Sequence, residues 1–269
     1  MIGTEKLELA IELALWSGGL KNENPLSLLI IAIPESGKSQ LVLKYKGNKP
    51  GIVVLTDCTA YGIQHQFLEP MKSKQVHHII IPDLLTPLSR SPSTVSTFIA
   101  FFNNLIEEGI VEVHTYAMDF AVEGLNVGII STITPEVLRD TRHRWTRMGF
   151  LSRMLPIAYR YSQETAQKIL ESITQREYYQ EQPKQLNFPL EKQEVDLPKE
   201  QAKKLLPLTK RFNEGLDEAE RLYGFRYQKQ LQVLLEAHAL MNGRNKVTDE
   251  DVQSVISIAK LFGTEEQEL

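Results

Sequence analysis

LLIIAIPESGKSQLV, from Leu28 to Val42, is the stretch of the chain that decides the fold. Its first half belongs to an apolar run, residues 27–33, with the composition of a parallel strand buried on both faces. The chain then enters a polar turn and resumes with Leu41, Val42 and Tyr45 on one side of a helix. The stretch therefore predicts a strand, a tight turn and a helix, in that order.

The turn carries the ending of a phosphate-binding loop. Gly37, Lys38 and Ser39 match the last three positions of the pattern G-x-x-x-x-G-K-[ST], whereas Ala32 replaces the first glycine. In such a loop the backbone N–H groups and the helix start surround the phosphates, the lysine neutralises them, and the hydroxyl meets magnesium. A G-K-S triplet also occurs in ordinary polar turns, but its place between strand and helix favours binding of ATP with Mg²⁺. The candidate nucleotide contacts in this loop are Pro34, Glu35, Ser36, Gly37, Lys38, Ser39 and Gln40.

Composition restricts the classes of protein without choosing among them. The 269 residues are 42% apolar and carry a net charge of −4, which gives no overall attraction to nucleic acid. No apolar run is long enough to cross a bilayer and no export signal opens the chain, so we expect a cytoplasmic protein without membrane association. The single cysteine, Cys58, lies in the apolar run GIVVLTDC, which predicts a buried structural thiol.

The first part of the chain alternates between apolar runs and helical patterns, which predicts an α/β sheet. Helices are predicted over residues 4–16 and 94–108, and Phe98, Phe101 and Phe102 recur at the spacing of a core-facing helical stripe. Strands are predicted at residues 27–33, 51–56, 77–82, 126–133 and 155–160.

The composition changes from about residue 163, and no further strand is predicted. Residues 175–209 are polar and interrupted by four prolines, as in short helices and connections. Two helices follow, the second opening with a capping box at residues 248–251, and His238 on the first is expected to be packed rather than to bind a metal. We predict an α/β nucleotide-binding domain over residues 1–162 and an all-helical lid over residues 163–269.

The order of these parts resembles the AAA+ ATPases, and within them the motor domain of the minichromosome maintenance (MCM) helicases. SGKSQLVLKY is similar to their phosphate loop and helix, and GIVVLTDCTAYG to the strand that follows. The C-terminal YQKQLQVLLEAHALMNGRNKVTDEDV is similar to the lid of that family and of MoxR-type AAA+ proteins. The resemblance implies a P-loop sheet sandwiched by helices, ATP and Mg²⁺, and a homo-oligomeric ring or arc or a hetero-oligomer with another AAA+ subunit.

The resemblance assigns a metal ligand but removes a catalytic base. Asp83, which closes HHIIIPD, falls at the Walker B aspartate and would hold Mg²⁺ beside Ser39. The next residue in the family is a catalytic glutamate, and here it is Leu84, which cannot accept a proton. Asp57, at the end of the neighbouring strand, is an alternative acid, although a strand-end turn would use the same residue. Loss of a positioned base typically costs about two to four orders of magnitude in rate, so slow hydrolysis is expected.

Four further residues match positions that act on the nucleotide in the family. Thr134 falls at the first sensor, which is usually asparagine, and Arg153 in GFLSRMLPI matches the arginine finger that enters the neighbouring subunit. Lys229 falls at the second sensor, and Arg226, one helical turn earlier, could substitute for it. Taken singly, Asp83 also fits a strand-end cap, Arg153 a surface cation and Lys229 a solvated helix residue.

A DNA partner has weak support in the sequence. MCM motors grip DNA with basic hairpins, but the region before the first sensor, GIVEVHTYAMDFAVEGLNVG, contains no lysine or arginine. The one dense basic cluster fits DNA, a subunit interface or a solvated helix face, and consists of Arg139, Arg142, His143, Arg144 and Arg147. Two functions remain open: an ATP-dependent enzyme that remodels DNA or a protein partner, and a nucleotide-gated scaffold that hydrolyses ATP slowly or not at all.

Overall fold

The computed structural model describes residues 2–73, 76–115, 118–177, 183–214 and 224–269. The helices are α1 (Glu5–Trp16), α2 (Lys38–Leu43), α3 (Ala60–Lys72), α4 (Leu85–Leu88), α5 (Pro92–Asn103), α6 (Pro135–Arg147), α7 (Gln163–Thr174), α8 (Lys199–Lys203), α9 (Leu206–Glu214), α10 (Phe225–Met241) and α11 (Asp249–Ala259). The strands are β1 (Leu28–Ile31), β2 (Ile52–Val54), β3 (His78–Ile81), β4 (Ile110–Thr115), β5 (Met118–Leu125), β6 (Gly128–Ile133), β7 (Leu155–Arg160) and β8 (Gly263–Glu268). No helix of these described stretches is both long and apolar enough to cross a membrane.

Six strands form one parallel sheet in the order β2-β3-β6-β1-β7-β8. Leu28 at the start of β1 pairs with Ile130 of β6 on one side and with Leu155 of β7 on the other. All five predicted strands are confirmed within this sheet. Because the strands are parallel, their carboxyl ends lie at one edge and their amino ends at the opposite edge. The architecture is that of an α/β protein compatible with a P-loop-like fold.

The expectation that the chain is entirely helical after residue 163 is wrong at β8. This strand pairs with β7, with Tyr159 opposite Gln267, and forms the edge of the sheet. Its sequence, GTEEQE, has no apolar run, and three of its six residues are exposed while the other three are partly buried, as an edge strand allows. Hydrogen bonding to β7, rather than burial, therefore produces this strand.

The sheet separates two apolar cores. Alternate residues of β1 enter opposite cores, with Leu28 and Ile30 in the first and Leu29 and Ile31 in the second, as the period of a strand requires. The first core also includes residues of α1, α10 and α11, and the second includes the predicted aromatic stripe of α5. The helices expected to form a lid thus share a core with α1 and β1. The division of the chain at residue 162 stays a prediction.

A hairpin precedes the strand that ends near Thr134. Strands β4 and β5 pair in antiparallel fashion as a separate two-stranded sheet, with a register shift between Ile110 and Glu112. This is the region without lysine or arginine. The backbone therefore places here a hairpin that offers no cations for phosphate contacts.

Residues 183–197 connect distant parts of the fold through backbone hydrogen bonds. The Lys184 N–H donates to the Lys44 carbonyl at 2.8 Å, and the Gln193 N–H donates to the Gly19 carbonyl at 2.7 Å. Further along, the Asp196 N–H donates to the Asn245 carbonyl at 2.8 Å. The segment thereby links the end of α2, the end of α1 and the loop between α10 and α11.

Two adjacent histidines lie at the amino edge of the sheet. The Nδ1 atoms of His77 and His78 are 2.7 Å apart, and Nε2 of His78 is 3.0 Å from the Leu26 carbonyl. Because a carbonyl only accepts, His78 donates through Nε2, and its Nδ1 accepts the Nδ1 proton of His77. The His77 ring lies against Gly18 and Gly51, where a Cβ would approach it to 2.2 and 2.3 Å. The packing thus favours two neutral rings.

We expect this pair to reduce stability in acid. Burial, aided by the charge of Lys192, lowers the pKa of His77 from 6.5 to about 4. Between pH 6.5 and 4 His77 is protonated in the unfolded chain but neutral in the folded chain. The free energy of unfolding therefore falls as pH drops from 6.5 towards 4. For His77 alone the loss reaches about 3 kcal/mol. Urea unfolding of the protein and of His77→Asn at successive pH values measures it.

The difference between the two pH profiles is the relevant quantity, because other groups oppose the effect. Burial, aided by the negative charge of Glu23, raises the pKa of Glu236 to about 7. The contribution of Glu236 to the free energy of unfolding therefore decreases as pH rises towards 7. The His77→Asn profile should be shallower below pH 6.5, whereas replacing the exposed His65 should leave the profile unchanged. Parallel profiles for His77→Asn and the parent protein would contradict the assignment.

Candidate functional site

The predicted phosphate loop lies at the carboxyl edge of the sheet, directly after β1. The Ala32 N–H donates to the Ile133 carbonyl at 3.2 Å, so the start of the loop is bonded to the end of β6. Glu35 and Gly37 both adopt left-handed conformations, with φ of 65° and 74°. Glycine accepts this conformation readily, but glutamate does so at a cost, and such strain is commonly found at ligand sites. The loop therefore turns sharply on both sides of Ser36.

Two tyrosine hydroxyls hold this loop from β7 and its extension. Tyr159 and Tyr161 each donate to the Ser36 carbonyl, at 3.0 and 2.9 Å. The Ser36 side chain is 5% exposed, and its Oγ has no hydrogen-bond partner among the described residues. A buried hydroxyl without a partner costs free energy. The orphaned Oγ in the middle of the loop is therefore a group that a bound ligand oxygen would satisfy.

Lys38 folds back over the loop. Its Nζ donates to the Ile33 carbonyl at 3.2 Å, which leaves two of the three ammonium protons for other acceptors. Partial burial lowers the pKa of Lys38, whereas the negative charges of Asp83 and Glu136 act in the opposite direction. The lysine thus lies in the electrostatic field of both carboxylates.

The Pro82 carbonyl joins three elements at the carboxyl edge. It accepts the Ser39 hydroxyl at 3.1 Å and the Thr132 hydroxyl at 2.6 Å. On the other side of Pro82, the Leu84 N–H donates to the Thr132 carbonyl at 3.0 Å. The phosphate loop, the end of β3 and the end of β6 are therefore fixed to one another, which sets Asp83 next to the residue bonded to Ser39.

Ser39 and Asp83, the predicted magnesium ligands, both lie at the carboxyl edge of the sheet, next to Pro82. The Ser39 proton points at the Pro82 carbonyl, so the lone pairs of its oxygen face away from that bond. Asp83 is exposed and accepts the Leu85 N–H at 2.9 Å through Oδ1. A hydroxyl and a carboxylate are the hard oxygen ligands that Mg²⁺ prefers, with water and phosphate completing its shell. In the described part of the chain there is no cluster of three or more His, Cys, Asp or Glu that could hold a metal ion.

The structure shows where Leu84, at the position of the usual catalytic glutamate, and Asp57, the alternative acid, lie. Leu84 is 1% exposed and belongs to the second core, so the side chain after Asp83 points into the protein rather than to the loop. The Asp57 carboxylate accepts Arg90 Nη2 at 2.5 Å in an ion pair on the surface. Glu136, which the sequence reasoning missed, is exposed at the start of α6 and acts electrostatically on Lys38.

Thr134, the residue predicted as the first sensor, lies between the ends of β1 and β3. It follows β6, which separates β1 from β3, and it precedes Pro135 as the residue that caps α6. Its side chain makes no capping hydrogen bond to the helix. The hydroxyl is thus placed between the two halves of the site without being committed to its own helix.

The remaining predicted cations gather at the opposite edge of the sheet. Arg153 precedes β7, is 12% exposed, and forms ion pairs with Glu107 at 3.0 Å and with Glu108. Arg226 donates from Nε to both oxygens of Glu107, at 2.7 and 2.8 Å. Arg153, Arg226 and Lys229 all line one small cavity at this edge. At about 3.3 Å per residue, strand β1 alone holds this group about 10 Å or more from the loop. In this conformation the three cations therefore lie away from the predicted phosphate loop of their own chain.

The basic cluster lies on α6. Arg144 donates to the Pro92 carbonyl at 3.1 Å and to the Ser96 hydroxyl at 2.6 Å, so it ties α6 to α5. Arg139, His143 and Arg147, four residues apart, are exposed along one side of the helix. Three other residues singled out in the sequence have these places in the structure. Gln40 is exposed on α2, and His238 is packed against Asp251. Cys58 packs against the second core, and burial raises the pKa of its thiol to about 12.

The chain matches no protein-family model and no curated protein sequence. Assignment of a function therefore rests on the arrangement of its own side chains.

Proposed function

We propose that this protein binds ATP with Mg²⁺ at the carboxyl edge of the sheet, as an AAA+-type protein similar to an MCM motor domain. The observation that carries the proposal is the junction at the Pro82 carbonyl, where Ser39 and Thr132 both donate. This junction supports binding because it brings the lysine, the hydroxyl and the carboxylate of a nucleotide site together from separate strands. An ordinary polar turn needs no such convergence.

The phosphates and the metal ion of the nucleotide each have partners in this arrangement. Lys38 and the N–H groups of the loop would hold the phosphates, and Ser36 Oγ would gain the partner it lacks. Ser39 and Asp83 would hold Mg²⁺, which neutralises phosphate charge and orients the terminal phosphate when bound. Thr134 lies between them and can donate its hydroxyl to a phosphate oxygen or a water.

Hydrolysis is proposed to be slow. Leu84 is buried in the position of the usual base, and Asp57 is paired with Arg90. Besides Asp83, Glu136 is the carboxylate that acts electrostatically on Lys38 among the residues that the structure describes. Glu136 is therefore the candidate for any residual base catalysis. Binding of ATP as a switch is thus favoured over rapid turnover.

The cations at the amino edge support an oligomer. Arg153, Arg226 and Lys229 would act on a nucleotide only if a second copy, or another AAA+ subunit, presented its phosphate loop to this edge. The proposal is therefore a ring or arc in which ATP binding is coupled to association, and through it to a DNA or protein target. Sedimentation with and without ATP measures this coupling.

Replacing Lys38 with alanine is the direct test of the nucleotide site. The protein should bind ATP with Mg²⁺ saturably and gain thermal stability, and Lys38→Ala should weaken binding at least about tenfold, because a charged hydrogen bond to phosphate is lost. Lys46→Ala is the matched control, since Lys46 is an exposed lysine beyond α2. Calorimetry of ATP binding to the three proteins measures the effect.

Two outcomes would contradict the proposal. One is an ATP affinity equal in Lys38→Ala and Lys46→Ala, and the other is absence of any ATP effect on the parent protein. Phosphate release measured on Glu136→Gln and Asp57→Asn then identifies the base. A rate lowered only by Glu136→Gln assigns this residue, whereas fast turnover by both variants contradicts the role of Glu136.

A further inference from the structure

A second cavity of about 400 Å³ lies at the amino edge of the sheet, away from the phosphate loop. Its walls come from the second half of α6, the starts of β7 and β8, α9 and the first turns of α10. Cavities that bind small molecules commonly measure about 300–1,000 Å³. The cavity is therefore large enough for a ligand and is built from several rigid elements.

Aromatic rings form one side of this cavity. Phe212 and Tyr227 stack with ring centres 4.1 Å apart and planes 16° from parallel. Phe225 also lines the cavity and is 77% exposed at the start of α10, directly after Gly224, whose φ of 77° turns the chain into the helix. An exposed phenylalanine beside a stacked aromatic pair presents a flat apolar surface to a planar ligand.

Two arginines supply the positive charge of the polar side, which Glu107 also lines. Arg142 of α6 lines the cavity, and so does Arg226. Arg226 is held in place, because Nε donates to Glu107 and Nη1 donates to the Ser152 hydroxyl at 3.3 Å. These contacts leave Nη2 of Arg226 without a hydrogen bond among the described residues, so a guanidinium fixed by its other nitrogens has donors for an anion.

We propose that this cavity binds a nucleotide unit, with the base against the aromatic rings and the phosphate against the two arginines. A flat surface next to fixed guanidinium groups suits a planar aromatic ring that carries a negative charge. The unit comes either from a free mononucleotide or from a single strand of nucleic acid. Within one chain the cavity and the phosphate loop lie at opposite edges of the sheet, so this site is separate from the ATP site of the same chain.

The test uses the Lys38→Ala protein, so that the phosphate loop does not contribute, with thymidine monophosphate and a short thymidine oligonucleotide as probes. Binding is measured by calorimetry and by fluorescence anisotropy of the labelled strand. Phe225→Ala should weaken binding at least about fivefold, since stacking on an aromatic side chain is lost. Phe225→Tyr should restore it, and Leu170→Ala, at an exposed leucine of α7, should have no effect.

The two probes distinguish the sources of the nucleotide. Phe225-dependent binding of the monophosphate assigns a free nucleotide, and Phe225-dependent binding of the oligonucleotide alone assigns a single strand. Failure of both probes to bind, or binding that Phe225→Ala leaves unchanged, overturns the proposal. Neither result depends on whether Lys38 binds ATP, so the two sites are tested independently.

Discussion

Leu84→Glu is expected to destabilise the protein by about 3–5 kcal/mol and to leave ATP turnover no faster. This substitution introduces the glutamate that the resemblance to AAA+ enzymes would lead one to expect at this position. In the structure, however, Leu84 is 1% exposed and packs within the second core. The new side chain loses the apolar contacts of leucine and must place a carboxyl group where no partner is available, so its pKa rises and the fold weakens.

Leu85→Glu is the matched control for this experiment. Leu85 is adjacent in sequence but 45% exposed, so the same charge there should change the free energy of unfolding by about 0.5 kcal/mol or less. Urea unfolding of the two variants and of Leu84→Ala separates the lost packing from the buried carboxyl group. A Leu84→Glu protein as stable as Leu85→Glu, or one that releases phosphate faster than the parent, would show that residue 84 faces the nucleotide.

Much of the sheet could be predicted because its strands are apolar on both faces. Residues 28–31 and 78–81 lie between two helical layers, so burial alone specifies them in the sequence. Strand β8 could not be predicted in this way, since it depends on the open edge of β7, which exists only in the folded chain. Pairing with this edge requires only backbone N–H and C=O groups, which almost every residue has, so the sequence carries no signal for the strand.

In the candidate site, too, residues within a local sequence pattern could be predicted, whereas residues from distant strands could not. Lys38 and Ser39 were predicted because a G-K-S triplet between a strand and a helix is a local pattern, and Asp83 because HHIIIPD resembles the end of the Walker B strand of AAA+ ATPases. The hydroxyls that position the loop, those of Tyr159, Tyr161 and Thr132, come from strands distant in the chain. Two tyrosines separated by one residue at a predicted strand end were a signal, because they lie on one face of the strand. Their acceptor, a backbone carbonyl, has no signature in sequence.

Asp251→Asn is expected to cost about 3–5 kcal/mol, although it changes neither size nor shape. Asp251 is fully buried, and each of its contacts is a donor. Oδ1 accepts from His238 Nδ1 at 2.6 Å and from Arg244 Nη2 at 2.7 Å. Oδ2 accepts from the N–H and the hydroxyl of Thr248, at 2.7 and 2.9 Å. An asparagine must turn its NH₂ group towards one of these pairs of donors, and it leaves Arg244 without its buried counter-charge.

Glu250→Gln is the control because it removes a different carboxylate from the same arginine. Glu250 lies 3.2 Å from Arg244 but is 72% exposed, so its loss should cost less than about 1 kcal/mol. At about 2–4 °C per kcal/mol, the melting temperature should fall by about 6 °C or more for Asp251→Asn and by a few degrees at most for Glu250→Gln. Equal shifts for the two variants would contradict the assignment. Because α11 and α10 belong to the first core with α1 and β1, a loss confined to Asp251→Asn would show that this buried carboxylate stabilises the sheet that carries the phosphate loop.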